Sequence, residues 1–140
     1  MQKNKITHWN SYYDNGTDFG FITSQALSKL LSYTNPNVPK VALDIGCGTG
    51  QLMRELNHRG YQCLGIDVSG SAVRIAKSLT TRSDELQYLQ SDIENVDIET
   101  LPLQPYSLIT CKLVYAFVQN KGPFLKKVDE LLVNGRIQIR

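Results

Sequence analysis

Val41 to Gln51 reads V-A-L-D-I-G-C-G-T-G-Q. Val41, Ala42, Leu43 and Ile45 make a short apolar run of the kind found in parallel strands buried on both faces. Gly46, Gly48 and Gly50 follow at alternate positions. Gln51 to Arg59 then carries Leu52, Met53 and Leu56 on one side of a helix that Gly60 would stop. Glycines let the backbone turn sharply and approach a ligand closely, and a helix N-terminus offers unpaired N–H groups. A bare strand-to-helix turn rarely needs three glycines, so the stretch predicts a ligand-facing loop at the carboxyl end of a strand.

Downstream, Tyr61 to Val68 reads as a second strand. It ends in Asp67, 21 positions after Gly46 and 17 after Gly50. In a doubly wound sheet this places a carboxylate at the end of the neighbouring strand, where it can accept from ribose hydroxyls. The other use of such an Asp, capping the next helix, fits less well, because Ser69 already offers an N-cap for Ser71 to Leu79. Leu86 to Gln90 is a third, edge strand and runs into the turn Ser91-Asp92-Ile93-Glu94, where Asp92 on its own is an ordinary turn residue. A proline-punctuated loop, Leu101 to Pro105, precedes a fourth strand, Tyr106 to Lys112. Gly122 to Val133 reads as a helix with Phe124, Leu125, Val128, Leu131 and Leu132 inward. Asn134-Gly135 would stop it, and Arg136 to Arg140 begins a fifth strand.

Upstream, Phe21, Ile22, Ala26, Leu27, Leu30 and Leu31 recur at helical spacing and predict a helix from Asp18 to about Tyr33. Asn35-Pro36-Asn37-Val38-Pro39 ends it. Trp9 and Tyr12, in the stretch Ile6 to Tyr13, either cover a ligand pocket as a lid or pack a leading helix onto the sheet.

The 140 residues suit one domain, with residues 1–37 a helical lid region and 38–140 the core. With 41% hydrophobic and 20% charged residues the composition is that of a globular protein. A net charge of +2 gives no argument for nucleic acid. The apolar runs are too short to cross a bilayer, and Met1 to Asn10 is polar, unlike a signal peptide. Cys47, Cys63 and Cys111 have neither the number nor the spacing of a disulfide or zinc framework, so no metal is expected and the expected compartment is a reducing cytoplasm.

The glycine spacing is G-x-G-x-G, whereas the dinucleotide fingerprint is G-x-G-x-x-G, with Gln51 standing here where its last glycine would be. Asp44, Gly46, Gly48 and Gly50, then Asp67, then Asp92, then the Tyr106 strand and the N-G-R-I turn fall in register over Val41 to Arg140. Together they resemble the motifs of class I methyltransferases that use S-adenosylmethionine (SAM). The resemblance implies an α/β fold, a doubly wound, mostly parallel sheet in strand order 3-2-1-4-5, after an N-terminal helical extension. It implies that Asp44 and the loop of Gly46, Cys47, Gly48 and Gly50 bind SAM beside Asp67. It further implies that Asp92 accepts from the adenine amine, that the Ile93 N–H donates to a ring nitrogen, and that Val68 packs on the adenine. Cys111 and Lys112 would lie beside the transferring methyl group. Tyr115 and Phe117 line the substrate side or belong to the core.

Motifs of amino-methylating and cytosine-C5 enzymes, N-P-P-Y and Pro-Cys, are lacking, and a small-molecule methyl acceptor is expected. No catalytic side chain is assigned; Tyr115 and His8 are the candidates for a base. A non-catalytic or truncated SAM-binding module is the alternative, and an NAD-dependent oxidoreductase a more distant one. Family members usually continue past the fifth strand with a helix and two antiparallel strands, absent here, which would leave Ile137 and Ile139 on an open edge. Self-association through that edge is the expected outcome, and light scattering over a concentration series checks it: a clean monomer at high concentration contradicts it.

Overall fold

The computed structural model describes residues 10–11, 14, 22–81, 84–111 and 117–139, with side chains up to residue 132. Its strands are β1 (Val41–Ile45), β2 (Gln62–Asp67), β3 (Leu86–Gln90), β4 (Tyr106–Cys111) and β5 (Leu132–Ile139). The helices are α1 (Ser24–Leu31), α2 (Gln51–His58), α3 (Gly70–Ser78) and α4 (Lys121–Leu131). The strands β3-β2-β1-β4 lie side by side and parallel, and the β5 backbone runs parallel beside β4. The chain therefore builds outward from β1 to β3, then crosses back to β4 on the other side. That reversal opens a crevice at the carboxyl ends of β1 and β4.

Each strand feeds two cores because successive side chains point to opposite faces. Ala42, Cys63 and Leu108 join Leu52, Met53 and Leu56 of α2 and Val73 and Ala76 of α3 on one face. Leu43, Ile45, Leu64, Ile66 and Ile109 join Phe124, Val128 and Leu131 of α4 on the other. Tyr106 is fully buried in this second core, with its hydroxyl donating to the Pro102 carbonyl, and burial pushes the phenol pKa up. The Cys63 thiol is likewise raised, chiefly by burial and then by the nearby Asp44 charge, so it stays a protonated core residue.

The central elements match the sequence periodicity to within a residue or two, and two others depart from it. The first helix does not run from Asp18: α1 starts at Ser24, where the Thr23 hydroxyl accepts from the Ala26 N–H at 3.1 Å. Just before it, the Ile22 N–H and carbonyl bond to the side-chain amide of Gln51, both at 3.3 Å, instead of joining a helical ladder. The last helix also ends early. Leu131 closes α4, Leu132 already pairs with Tyr106 on β4, and Asn134-Gly135 lies inside β5 rather than stopping a helix. Between the pairs Tyr106↔Leu132 and Leu108↔Arg136 the register slips, and residues 133–135 absorb the extra length.

Gly65, in mid-β2, has no room for a side chain. A Cβ there would run into the Met53 sulfur and stand 2.8 Å from both Cβ and Sγ of Cys47. Gly65→Ala is expected to destabilise the fold by about 1–3 kcal/mol through overpacking, read as a lower urea midpoint at unchanged slope.

Candidate functional site

Gly46, Gly48 and Gly50 have φ of 75°, 56° and 88°. All three are left-handed, a conformation that costs an L residue about 1–2 kcal/mol. The loop they make is tied down by its own amides. The N–H groups of Gly46 and Cys47 both donate to the Ile66 carbonyl, at 2.7 and 3.0 Å, and that of Gly50 donates to the Cys47 carbonyl at 3.0 Å. The Gly48 N–H donates to Asp67 Oδ2 at 2.9 Å. These donors therefore organise the loop itself, in which Gly46 is half-buried and Gly48 and Gly50 are buried. The Cys47 side chain turns into the core against Met53, beneath Gly65, so only its backbone belongs to the loop surface. No side chain caps α2, whose N-cap is Gly50.

Asp44 is 2% exposed and lies in register between Gly65 of β2 and Thr110 of β4. Its Oδ1 accepts from the Thr110 hydroxyl at 2.8 Å, which ties β1 to β4 just below the crevice. Asp67, 8% exposed, uses its other oxygen to accept from the Ser69 N–H at 2.9 Å. The Ser69 hydroxyl caps α3 by accepting from the Ala72 N–H.

The Ser91 N–H donates to the Asp67 carbonyl at 2.9 Å, which brings the turn after β3 beside Asp67. In that turn Asp92 accepts from the Glu94 N–H through Oδ1 and from the Asn95 side-chain amide through Oδ2. The turn role read from the residue alone is thus present. Ile93 is buried in the second core, 3% exposed, and Val68 is half-buried. Cys111, 1% exposed at the end of β4, belongs to the same core as Ile93. The glycine loop, Asp67, Val68 and the Asp92 turn are therefore contiguous across β1, β2 and β3, and Cys111 lies on the far side of β1. Lys112, Tyr115 and His8, together with Trp9 and Tyr12, fall outside the described residues. Phe117 is 38% exposed and so is not a core residue.

Two further contributors carry no motif. Asn10 Oδ1 accepts from the Ser69 hydroxyl at 2.7 Å and from the Ser71 N–H at 3.3 Å, which places Asn10 on the turn after Asp67. Arg54 Nη1 donates to the Thr49 carbonyl at 2.6 Å from one turn into α2. Burial raises the pKa of Tyr88, partly offset by its bonds to Thr80 and Arg54, so its hydroxyl stays protonated where it shares a hydrogen bond with the Thr80 hydroxyl. Among the described residues no group of three or more His, Cys, Asp or Glu could hold a metal ion, and no helix is long and apolar enough to cross a membrane.

A family profile described as a methyltransferase domain matches residues 43–137. The chain is 27% identical over 140 residues to a ubiquinone biosynthesis O-methyltransferase of Rickettsia canadensis, covering 94% of this chain and 57% of that protein. It is 32% identical over 91 residues to the protein of that name from Bradyrhizobium diazoefficiens, covering 64% of this chain and 34% of that one. Among solved structures, the plantazolicin methyltransferase BpumL, in complex with a triazolic desmethylPZN analog and SAH, superposes with a TM-score of 0.73. That match is at 24% identity and covers 98% of this chain and 53% of that one. The chain thus spans about half the length, or less, of the relatives it matches.

The loop geometry makes Gly50 a sharp test of the site's framework. A Cβ there would stand 2.9 Å from Arg54 Nη1 and from the Tyr88 hydroxyl, on a backbone already at φ 88°. Gly50→Ala is expected to cost about 1–2 kcal/mol in chemical denaturation from the left-handed backbone alone.

Proposed function

Because the chain belongs to the methyltransferase-domain family, we propose that it is the cofactor-binding core of a SAM-dependent methyltransferase acting on a small-molecule acceptor. The observation that carries this is the bond from Gly48 N–H to Asp67 Oδ2, which joins the glycine loop to a carboxylate at the next strand end. The cofactor fits those features: the left-handed Gly46, Gly48 and Gly50 bend the chain over the end of β2 without side chains of their own, and a carboxylate at Asp67 is an acceptor for hydroxyls. When bound, SAM supplies an electrophilic sulfonium methyl group, and the protein's share is binding and orientation.

In this reading Asp67 accepts from the ribose and Val68 packs on one face of the adenine. Asp92 accepts from its exocyclic amine, the Ile93 backbone donates to the ring, and the strand end at Cys111 borders the reacting group. Asp44, fully buried and bonded to Thr110, shapes the floor of the loop through its strand. Residues 38–140 act as one unit, with the Asn10 side chain reaching the turn after Asp67 from outside it. The curated relatives are named O-methyltransferases, which supports oxygen as the accepting atom.

Calorimetric titration with SAM, S-adenosylhomocysteine and NAD is the direct test. Binding of the first two without NAD is the expected outcome; NAD alone, or nothing, overturns the reading. Asp67→Ala should weaken both sulfur ligands alike, by about 1.5–3 kcal/mol, since both carry the ribose. An unchanged dissociation constant would remove Asp67 from the site. Gly48→Val should abolish binding, because a branched side chain fills the approach to the loop.

A further inference from the structure

Residues 92–96 form a turn whose two kinds of backbone group converge on two side-chain-bearing residues. Its donors go to Asp92: the Glu94 N–H to Oδ1 at 3.0 Å, and the N–H groups of Asn95 and Val96 to the Asp92 carbonyl at 3.0 and 2.9 Å. Its acceptors go to Lys127, whose ammonium donates to the carbonyls of Ile93, Glu94 and Val96 at 3.0, 3.1 and 3.1 Å. An ammonium has three donors, so this one is fully spent on the turn. Lys127 is half-buried on α4, while its neighbour Lys126 is exposed.

The turn answers with a charge of its own. Glu94 Oε1 accepts from the N–H groups of Gln119 and Asn120 at 3.2 and 2.9 Å, and Oε2 from Gln119 at 3.2 Å. Asn120 is the N-cap of α4 and makes no side-chain capping bond. Glu94 therefore supplies the carboxylate that a helix N-terminus favours. Helix and turn exchange opposite charges: the helix gives an ammonium to the turn's carbonyls, and the turn gives a carboxylate to the helix's leading amides.

We propose that Lys127 and Glu94 are positioning residues that fix Asp92 and Ile93 for the adenine and clamp that turn to Gln119 and Asn120, just ahead of α4. The proposal rests on the SAM reading above. Neither residue needs to touch a ligand. Lys127 sets the turn whose first residue is Asp92, and Glu94 ties the same turn to Gln119 and Asn120.

The test uses Lys127→Met, which keeps the aliphatic stem, and the pair Glu94→Ala and Glu94→Gln, since a neutral amide oxygen can still accept from both amides. Titration with S-adenosylhomocysteine and with S-inosylhomocysteine, whose base lacks the amine, is the first readout. K127M and E94A are expected to bind the adenine compound about tenfold more weakly, the scale of one charged hydrogen bond, and to discriminate less between the two bases. E94Q should stay close to the parent. Equal losses for both compounds, or no loss, overturn the positioning role. Hydrogen exchange without ligand is the second readout. K127M should speed exchange at the Gln119 and Asn120 amides, which Lys127 does not itself bond, and unchanged exchange there overturns the clamp. A parent that binds neither compound refutes the SAM reading instead, and the exchange result then decides the clamp by itself. If K127M does not fold, the contrast between E94A and E94Q carries both readouts.

Discussion

The carbonyl of Ile66 accepts from two successive amides, those of Gly46 and Cys47. This shared acceptor bends the chain as it leaves β1 and draws it over the end of β2. The bend demands a left-handed residue at Gly46 and another at Gly48, and it drops the Cys47 side chain onto the gap left by Gly65. The start of α2, the burial of Met53 and the bond from Gly48 to Asp67 all follow from that turn. The glycines are thus needed for the protein's own hydrogen bonds before any ligand is considered. A loop whose amides are already paired does not reorganise to receive one, and such preorganisation lowers the cost of binding.

Those elements were legible in the sequence because their signals are local. Four apolar residues, three glycines and an eight-residue amphipathic helix leave one sensible reading for β1 to α2. The Ser69 cap and the edge strand Leu86–Gln90 were equally plain. What was hidden depends on partners distant along the chain. Ile22 looks helical by spacing, yet Gln51, 29 positions on, takes both its backbone groups. Asn134-Gly135 looks like a helix stop, yet the ladder with β4 claims the chain three residues earlier. Pairing across a sheet overrides local propensity when the strand it completes is central to the fold.

The site divides along the same line. Asp67 was identifiable because a strand end and a fixed distance from the glycines locate it. That it also holds Gly48 in place was not, since no pattern announces a side-chain bond to a backbone amide. Asp92 carries two descriptions that the sequence set against each other, turn residue and adenine acceptor. Its turn bonds leave the second description standing, because the residue that shapes a loop is also the one whose position the loop fixes best. Asn10 and Arg54 gave no signal at all: each acts on a single backbone or hydroxyl group that only the folded chain brings near.

Asp44, Asp67 and Glu94 show how this small domain sets charge at successive depths. Asp44 is sealed in the sheet against Thr110 and is 2% exposed, so its charge is met by a hydroxyl inside the protein. Asp67, at the end of β2, divides its two oxygens between the glycine loop after β1 and the turn after β2. Glu94 lies further out and is half-buried, holding the leading amides of a helix. A buried charge without partners costs several kcal/mol, so each carboxylate is held by donors from a neighbouring element. The same bonds that settle these charges join β1 to β4, the glycine loop to β2, and the β3 turn to α4. Stability and site geometry therefore rest on one set of contacts, and a substitution at any of the three acts on both.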